Sequence, residues 1–186
     1  RHYTLGARLG AYDLHLDGKA LYCATDGCGV ETIDFTTRQK RSSRKEDVGL
    51  MARVADYLGA IGFYWPIVSA QDFLKTAPLH ELEASFSNTI KHVQSETVMG
   101  EWLAGYAVEM ARVINGSEQD LRSRPPLSLL VCAIAPLAQD KEGLESALIF
   151  AQAELPVGFM SMANTGSTAP ATLAGTLVTG DAEIIS

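Results

Sequence analysis

Four runs of apolar residues alternate along the chain with stretches in which apolar residues recur every three or four positions. The apolar runs have strand length and predict β-strands at 61–68, 89–94, 127–135 and 157–162. The stretches between them predict helices at 78–88, 98–114 and 141–154, and a fourth helix that begins near Thr168. Strands that alternate with helices indicate parallel βαβ units, because a parallel connection has to be long enough to contain a helix.

Residues 1–43 show short apolar alternations and turns instead. Leu14–Tyr22 carries an Asp-Gly turn between two apolar arms, which predicts a β-hairpin, and Val30–Thr36 predicts a further strand. Ser43 and Glu46 have the spacing of a capping box, so we expect the first helix to begin there.

The βα units of residues 44–186 are compatible with a TIM (β/α)8 barrel or with a doubly wound sheet. Neither GxGxxG nor GxxxxGK[ST] occurs in the chain, which counts against a nucleotide-binding sheet. We therefore expect an α/β fold in which the chain covers a β-rich N-terminal lead-in (1–43) and about half of a TIM barrel (44–186). Ligands of such barrels bind at the carboxyl ends of the strands.

The composition describes an acidic chain of 186 residues, with a net charge of −7 and a pI near 5.0. This acidity disfavours nucleic-acid binding, and we interpret the one basic run, Arg38–Lys45, as a solvated hairpin and helix entry. The three cysteines, Cys23, Cys28 and Cys132, have neither a disulfide pattern nor zinc-ligand spacing, so we expect reduced thiols and no bound metal.

No secretory signal and no apolar run of about 18 residues is visible, so we expect a cytoplasmic protein without a membrane anchor. The chain begins at Arg1 rather than Met and stops inside an amphipathic pattern. We expect it to be a piece of a longer protein.

The loop after the last predicted strand has the composition of a binding site. Asn164, Thr165, Ser167 and Thr168 supply hydroxyls and a carboxamide near a helix start that Pro170 marks. The loop contains no Cys, His or carboxylate. It is suited to hold a polar group rather than to attack one.

Glu96, with Gln94 before it, follows the second strand of the β/α region. Glu96 is a candidate acid/base or a binding group for a cationic substrate, and a carboxylate that stabilises a helix N-terminus is an equally good interpretation. Asp72 is better explained as a loop or helix-start residue. A single histidine inside a strand, such as His92, is more often packed than catalytic.

The densest aromatic cluster is Phe63-Tyr64-Trp65 in the first of these strands. Its ring faces are able to bind a quaternary ammonium, although strand aromatics pack into cores more often. No Ser/His/Asp or Cys/His set can be assembled, so the catalytic residues stay unassigned.

The segment MANTGSTAPATLAGTLVTGDAEIIS resembles a sequence block of the trimethylamine methyltransferase family, which includes glycine betaine methyltransferases. The match is carried by Thr168-Ala169-Pro170, Thr172-Leu173-Ala174-Gly175 and Ala182-Glu183-Ile184. The turn Asp26-Gly27-Cys28-Gly29 and the stretch Ser87–Val93 fit the same family in the same order.

The resemblance implies a TIM-barrel enzyme that moves a methyl group from a methylated amine to the cob(I)alamin of a separate corrinoid protein. The amine is trimethylamine or a quaternary amine such as glycine betaine. The chain then binds no cofactor directly, because the partner carries the cobalamin, and we also expect a homo-oligomer. Substrate or corrinoid contacts are expected from Trp65, Gln94, Glu96 and the loop that carries Asn164, Thr165, Ser167 and Thr168.

A site without a nucleophile is compatible with this chemistry. A quaternary ammonium already contains a good leaving group, so the protein mainly positions the two reactants. Trimethylamine-specific members carry pyrrolysine, which the resemblance places beyond Ser186. Asn164 and Thr165 replace small residues that are usual in the block, so the resemblance does not determine which methylated amine is the substrate.

Two other kinds of function stay open. One is a barrel enzyme of different chemistry, which a Schiff-base lysine at a strand end would favour, and Lys91 lies too early in its strand for this. The other is a small-molecule-binding domain without methyl transfer.

Overall fold

A computed structural model describes residues 3–185, which form a parallel five-stranded sheet, six helices and two small antiparallel hairpins. The strands are β1 (Tyr3–Leu5), β2 (Leu14–Leu16), β3 (Cys23–Ala24), β4 (Glu31–Ile33), β5 (Lys40–Ser42), β6 (Ile61–Tyr64), β7 (His92–Ser95), β8 (Leu127–Cys132) and β9 (Val157–Met160). The helices are α1 (Lys45–Tyr57), α2 (Ala77–Asn88), α3 (Glu101–Asn115), α4 (Glu118–Ser123), α5 (Lys141–Gln152) and α6 (Leu173–Ile185).

The five parallel strands lie in the order β3-β6-β7-β8-β9, so each pairs with the next strand of the sheet along the chain. The sheet is curled and corresponds to a half-barrel. This agrees with the mixed α/β fold and the partial barrel expected from the sequence. The four strands and three helices predicted after residue 60 are all present, and the short α4 was not predicted.

All four predicted strands are longer than those observed, and proline accounts for the early end of two of them. β6 ends at Tyr64, directly before Trp65 and Pro66, and β8 ends at Cys132, ahead of Ala135-Pro136. Proline has no N–H to donate to a sheet, which limits a strand that runs into it.

Side chains alternate along β8 between the helices and the concave face of the sheet. Leu127, Leu129 and Val131 are fully buried in a core that includes residues of α3 and α5. Ser128 lies on the opposite face, where its hydroxyl contacts the ring of His92. Polar side chains of β7 and β8 thus meet on the concave face.

The β-hairpin predicted over Leu14–Tyr22 is wrong in its partner. Leu14–Leu16 pairs with Tyr3–Leu5, and no ladder joins it to the residues after the Asp-Gly turn. Leu5 and Leu14 stand opposite each other in this pairing and are both buried. Their burial favours the β1–β2 pairing over the local alternative.

The β1–β2 hairpin covers the amino-terminal end of the parallel sheet. The Gly6 N–H donates to the Pro125 carbonyl and the Arg8 N–H donates to the Ile90 carbonyl, each at 2.8 Å. The Arg124 guanidinium binds both carboxylate oxygens of Asp13, at 2.6 and 2.7 Å. The hairpin therefore lies at the end of the sheet opposite to the one where ligands of such sheets bind.

The basic run forms β5, the second strand of the β4–β5 hairpin, and the entry to α1, in agreement with its interpretation from the sequence. The predicted capping box is wrong, because the Ser43 hydroxyl donates to the Ser69 carbonyl at 2.7 Å. Asp47 instead accepts from the Arg44 N–H at 2.9 Å, and it is held in place by Arg41.

The lead-in also supplies β3, which joins the parallel sheet beside β6. No helix within residues 3–185 combines the length and the apolar character needed to cross a membrane.

Candidate functional site

The loops after β3 and β6 are joined to each other at the carboxyl end of the sheet, which we call the mouth. The Gly29 N–H donates to the Ile67 carbonyl at 2.9 Å, and the Ser69 N–H donates to the Gly29 carbonyl at 2.8 Å. The approach is close, because a Cβ on Gly27 would lie 1.9 Å from the carbonyl oxygen of Pro66. These contacts fix the loop that carries Asp26 and Cys28.

Trp65 extends β6 into the mouth. Its backbone N–H donates to the Thr25 hydroxyl at 2.8 Å, and that hydroxyl donates to the Trp65 carbonyl at 2.6 Å. The side chain is 8% exposed, and its indole N–H, although buried, has no acceptor within hydrogen-bonding distance. Although no hydrogen bond joins the two side chains, the indole favours the charged form of the Glu96 carboxylate and acts to lower its pKa.

Glu96 directly follows β7 and is partly buried. Burial, together with the negative charges of Asp26 and Glu81, raises the pKa of its carboxyl group to about 7. A carboxyl group with this pKa is about half protonated at neutral pH. It can therefore exchange a proton or become fully charged when a cation binds next to it.

Two thiols lie within the same electrostatic environment. Burial and the charges of Glu81 and Glu96 raise the pKa of Cys28 to about 12. Burial, Glu96 and Asp26 also raise the pKa of Cys132. Because the thiolate is the nucleophilic form, neither cysteine is activated for covalent catalysis at neutral pH.

Glu81 of α2 is a residue of the site that the sequence analysis missed. It is 1% exposed and accepts hydrogen bonds from Ser69, Ala70 and Thr97. The available signal was a carboxylate placed beside Leu82 on the buried face of an amphipathic helix.

Gln94 lies on the concave face below the mouth, where its carboxamide donates to the Ser128 hydroxyl at 3.3 Å. The same hydroxyl contacts His92 Nε2 at 2.8 Å, and His92 Nδ1 lies 3.1 Å from the Gly6 carbonyl. A carbonyl only accepts, so Nδ1 carries the proton and Nε2 accepts from Ser128. His92 is thus packed and hydrogen-bonded, in agreement with its interpretation from the sequence.

The three adjacent aromatic residues do not form one cage. Tyr64 is fully buried beside α1, where its hydroxyl donates to the Val48 carbonyl at 3.1 Å. Phe63 contacts the ring of His92 edge-on, with 6.4 Å between ring centroids. Trp65 is the member of the cluster that reaches the mouth.

The loop Asn164–Thr168 closes on itself at the end of β9. The Thr168 hydroxyl is bonded to the Asn164 N–H at 2.9 Å, and the Thr165 hydroxyl lies 2.9 Å from that of Thr176. Asn164, Thr165 and Ser167 are exposed. Both threonine hydroxyls therefore contribute to the shape of the loop.

The helix after this loop begins later than predicted. α6 starts at Leu173, where the Thr172 hydroxyl accepts from the Gly175 N–H at 3.2 Å. Thr168 and Pro170 precede the helix, because the loop uses them to complete its own turn. Asp72 does serve a helix start, that of α1, by accepting from the Lys45 N–H at 3.0 Å.

Glu183 of α6 holds the loops after β8 and β9. Its carboxylate accepts from the Ser161 hydroxyl at 2.7 Å and from the N–H groups of Leu137 and Met162 at 3.1 Å each. The Ser161 hydroxyl and these two N–H groups hold the pKa of Glu183 below its usual value. Glu183 belongs to the segment that matches the family block.

A separate groove of about 690 Å³ lies on the outer helix layer. Phe86 of α2 and Tyr106, Met110 and Val113 of α3 line it, with Arg8 at its edge. It lies outside the mouth and takes no part in the arrangement around Glu96.

The fold and the mouth define an α/β protein with a half-barrel of parallel strands and an acidic site at their carboxyl ends. The family model for trimethylamine methyltransferase (MTTB) matches residues 1–186. The chain belongs to the trimethylamine methyltransferase family.

Named relatives agree with this assignment. The chain is 33% identical over 183 residues to the trimethylamine methyltransferase MttB of Desulfitobacterium hafniense, a match that covers 98% of the chain and 37% of the relative. It is 31% identical over 146 residues to MttB of Methanosarcina barkeri, which covers 77% of the chain and 30% of the relative. It is 32% identical over 108 residues to a glycine betaine methyltransferase of Desulfitobacterium hafniense, a match that covers 58% of the chain and 22% of the relative. The matched part of the chain thus spans between 22% and 37% of the length of these relatives.

Proposed function

We propose that this chain forms part of an enzyme that transfers a methyl group from a methylated amine to the cobalt of a separate corrinoid protein. The family and the names of the relatives support the methylated amine as donor. The corrinoid acceptor follows from the family resemblance. It is a substrate carried by a partner protein, so this chain has to receive it but not to hold it permanently.

The observation that carries the proposal is the position of Glu96 directly after β7, where burial and then the charges of Asp26 and Glu81 raise the pKa of its carboxyl group, while the indole of Trp65 favours the charged form. Two neighbouring carboxylates repel each other and destabilise the charged form of Glu96. A methylated ammonium placed between them removes this repulsion, and an indole face adds cation–π attraction. The site is thus electrostatically suited to a cation.

The chemistry asks for orientation more than for a protein nucleophile. When the donor is a quaternary or protonated ammonium, the electrons of the broken C–N bond stay on nitrogen, which leaves as a neutral amine while the methyl group passes to the acceptor. The thiols of Cys28 and Cys132 are held in their protonated form, so they do not compete for the methyl group. Correct alignment of donor and acceptor is itself worth several powers of ten in rate.

Calorimetric titration of the full-length protein with glycine betaine, trimethylamine and carnitine tests binding. A matched control is 3,3-dimethylbutyrate, which has the shape of glycine betaine with a neutral carbon in place of the ammonium nitrogen. We expect at least one ammonium compound to bind and 3,3-dimethylbutyrate to bind at least ten-fold more weakly. Equal affinity for glycine betaine and 3,3-dimethylbutyrate would contradict an acidic site for a cation.

The variant Glu96→Gln tests the role of the carboxylate. We expect methyl transfer to a corrinoid protein to fall ten- to a hundred-fold, the scale of a misplaced substrate, with little change in melting temperature. Glu101→Gln is the matched control, because Glu101 is exposed in the first turn of α3. Binding of an ammonium compound without any methyl transfer would favour the alternative of a small-molecule-binding barrel.

A further inference from the structure

The carboxylate of Glu81 connects two loops of the mouth from behind. Its Oε1 accepts from the Ser69 hydroxyl at 2.6 Å and from the Ala70 N–H at 3.1 Å, both in the loop after β6. Its Oε2 accepts from the Thr97 hydroxyl at 2.5 Å, in the loop after β7. One side chain of α2 therefore fixes the distance between the segments that carry Trp65 and Glu96.

All three partners are neutral donors. Two are hydroxyl groups and one is a backbone N–H, so they orient the carboxylate without supplying a compensating positive charge. All three bonds use the oxygens of Glu81 as acceptors, which is the capacity of an ionised carboxylate. A buried charge without a neighbouring cation acts over a longer distance than an exposed one, because little solvent screens it.

We propose that Glu81 is a positioning residue of the site, which holds the loops of β6 and β7 together and directs a negative charge at Glu96. The groups that act on the charge of Glu96 are Asp26 from the loop after β3, Glu81 from α2 and the indole of Trp65, and Glu96 in turn acts on the thiols of Cys28 and Cys132. Among them Glu81 is the buried carboxylate with both of its oxygens held by hydrogen bonds.

This arrangement couples substrate binding to a proton, an inference that rests on the proposed function. Near neutral pH the Glu96 carboxyl is partly protonated, first because of burial and then because of the charges of Asp26 and Glu81. A methylated ammonium favours the charged carboxylate and displaces the proton. Binding of a quaternary ammonium would therefore release a proton from Glu96.

The test is a titration of the Glu96 side-chain carboxyl by 13C NMR, which needs no ligand and is assigned with Glu96→Gln. Glu81→Gln removes the charge and keeps the hydrogen bonds, because its carbonyl oxygen accepts from Ser69 and Ala70 and its amide donates to the Thr97 hydroxyl. We expect the midpoint of Glu96 to fall by about one pH unit. Glu83→Gln is the matched control on the same helix, since Glu83 is exposed and paired with Lys45, and it should leave the midpoint in place.

Thr97→Val tests the tether separately, since it removes one donor and keeps the charge of Glu81. We expect faster hydrogen exchange at the Ala70 amide, which binds the loosened carboxylate, and an affinity for glycine betaine that is several-fold weaker. Thr97→Val still tests the tether if Glu81→Gln does not fold.

An unchanged Glu96 midpoint in folded Glu81→Gln would overturn the electrostatic role. Unchanged amide exchange in Thr97→Val would overturn the tether. If the parent protein binds no methylated ammonium, the proposed function fails, whereas these two ligand-free measurements still decide the role of Glu81.

Discussion

The substitution His92→Gln tests how the lead-in is attached to the sheet. His92 is completely buried between the Gly6 carbonyl and the Ser128 hydroxyl, and burial lowers its pKa to about 4. A glutamine at this position can donate to the same carbonyl and accept from the same hydroxyl, but it does not titrate.

The expected magnitude follows from proton linkage. A histidine in the unfolded chain takes up a proton near pH 6.5, whereas His92 in the folded protein does so near pH 4. Between these values the unfolded state binds more protons, so the free energy of unfolding decreases as the pH falls. A pKa lower by about 2.5 corresponds to a loss of about 3 kcal/mol between pH 7 and pH 4.

Urea unfolding of the parent protein and of His92→Gln at pH 7.5, 6.0 and 5.0 measures this contribution. The difference between the two proteins removes the effect of carboxylates that titrate in both. We expect the stability of His92→Gln relative to the parent to improve as the pH falls, by about 2 kcal/mol over this range. His15→Gln is the control, because His15 is exposed on β2. Parallel stability curves for the parent and His92→Gln would refute the assignment of a buried neutral histidine.

Two further substitutions test the mouth. Gly27→Ala places a Cβ 1.9 Å from the Pro66 carbonyl oxygen and should therefore displace the loop of Asp26. We expect a loss of ammonium binding and a lower melting temperature. Gly59→Ala is the control, because its Cβ meets no atom within 4 Å, and it should change neither measurement. Trp65→Phe removes the indole N–H that favours the charged form of Glu96, so the midpoint of the Glu96 titration by 13C NMR should rise. Trp102→Phe is the control, because Trp102 is exposed, and it should leave the midpoint unchanged. An unchanged midpoint in Trp65→Phe would show that the indole does not act on Glu96.

The regular part of the fold could be predicted because its strands are buried between two layers. β8 has helices on one face and the concave interior on the other, so its sequence is mostly apolar and the local pattern reveals it. The end of α3 was equally visible, since Asn115 is followed by Gly116 in the left-handed conformation that glycine favours.

The lead-in was harder to predict because its strands are too short for a period to emerge. β3 contains two residues, and its place beside β6 depends on contacts made by residues some forty positions away. The Asp-Gly turn after β2 does form, with Gly18 at a positive φ of 77°. A local signal identified the turn. The burial of Leu5 against β2 favours β1, and not the residues after the turn, as the partner of β2.

The site was predictable to the extent that it follows the strands. Glu96 is a candidate because it stands just beyond a parallel strand, where such sheets bind ligands, whereas Trp65 is a candidate because of the aromatic cluster in the first predicted strand. Asp26 was not a candidate, because it belongs to a loop that reaches the mouth only through the backbone bonds of Gly29 to the β6 loop.

Glu81 and Glu183 show why a motif residue need not be a reacting one. Each lies on a helix and accepts from two successive loops, Glu81 after β6 and β7, and Glu183 after β8 and β9. Neighbouring loops leave parallel strands with N–H and hydroxyl donors that have no sheet partner. A carboxylate with two acceptor oxygens satisfies donors from both loops at once. The glutamate in the segment that matches the family block, Glu183, therefore maintains the shape of the loops after β8 and β9. In the proposed function the ligand is left to Glu96, which lies in the loop that Glu81 holds.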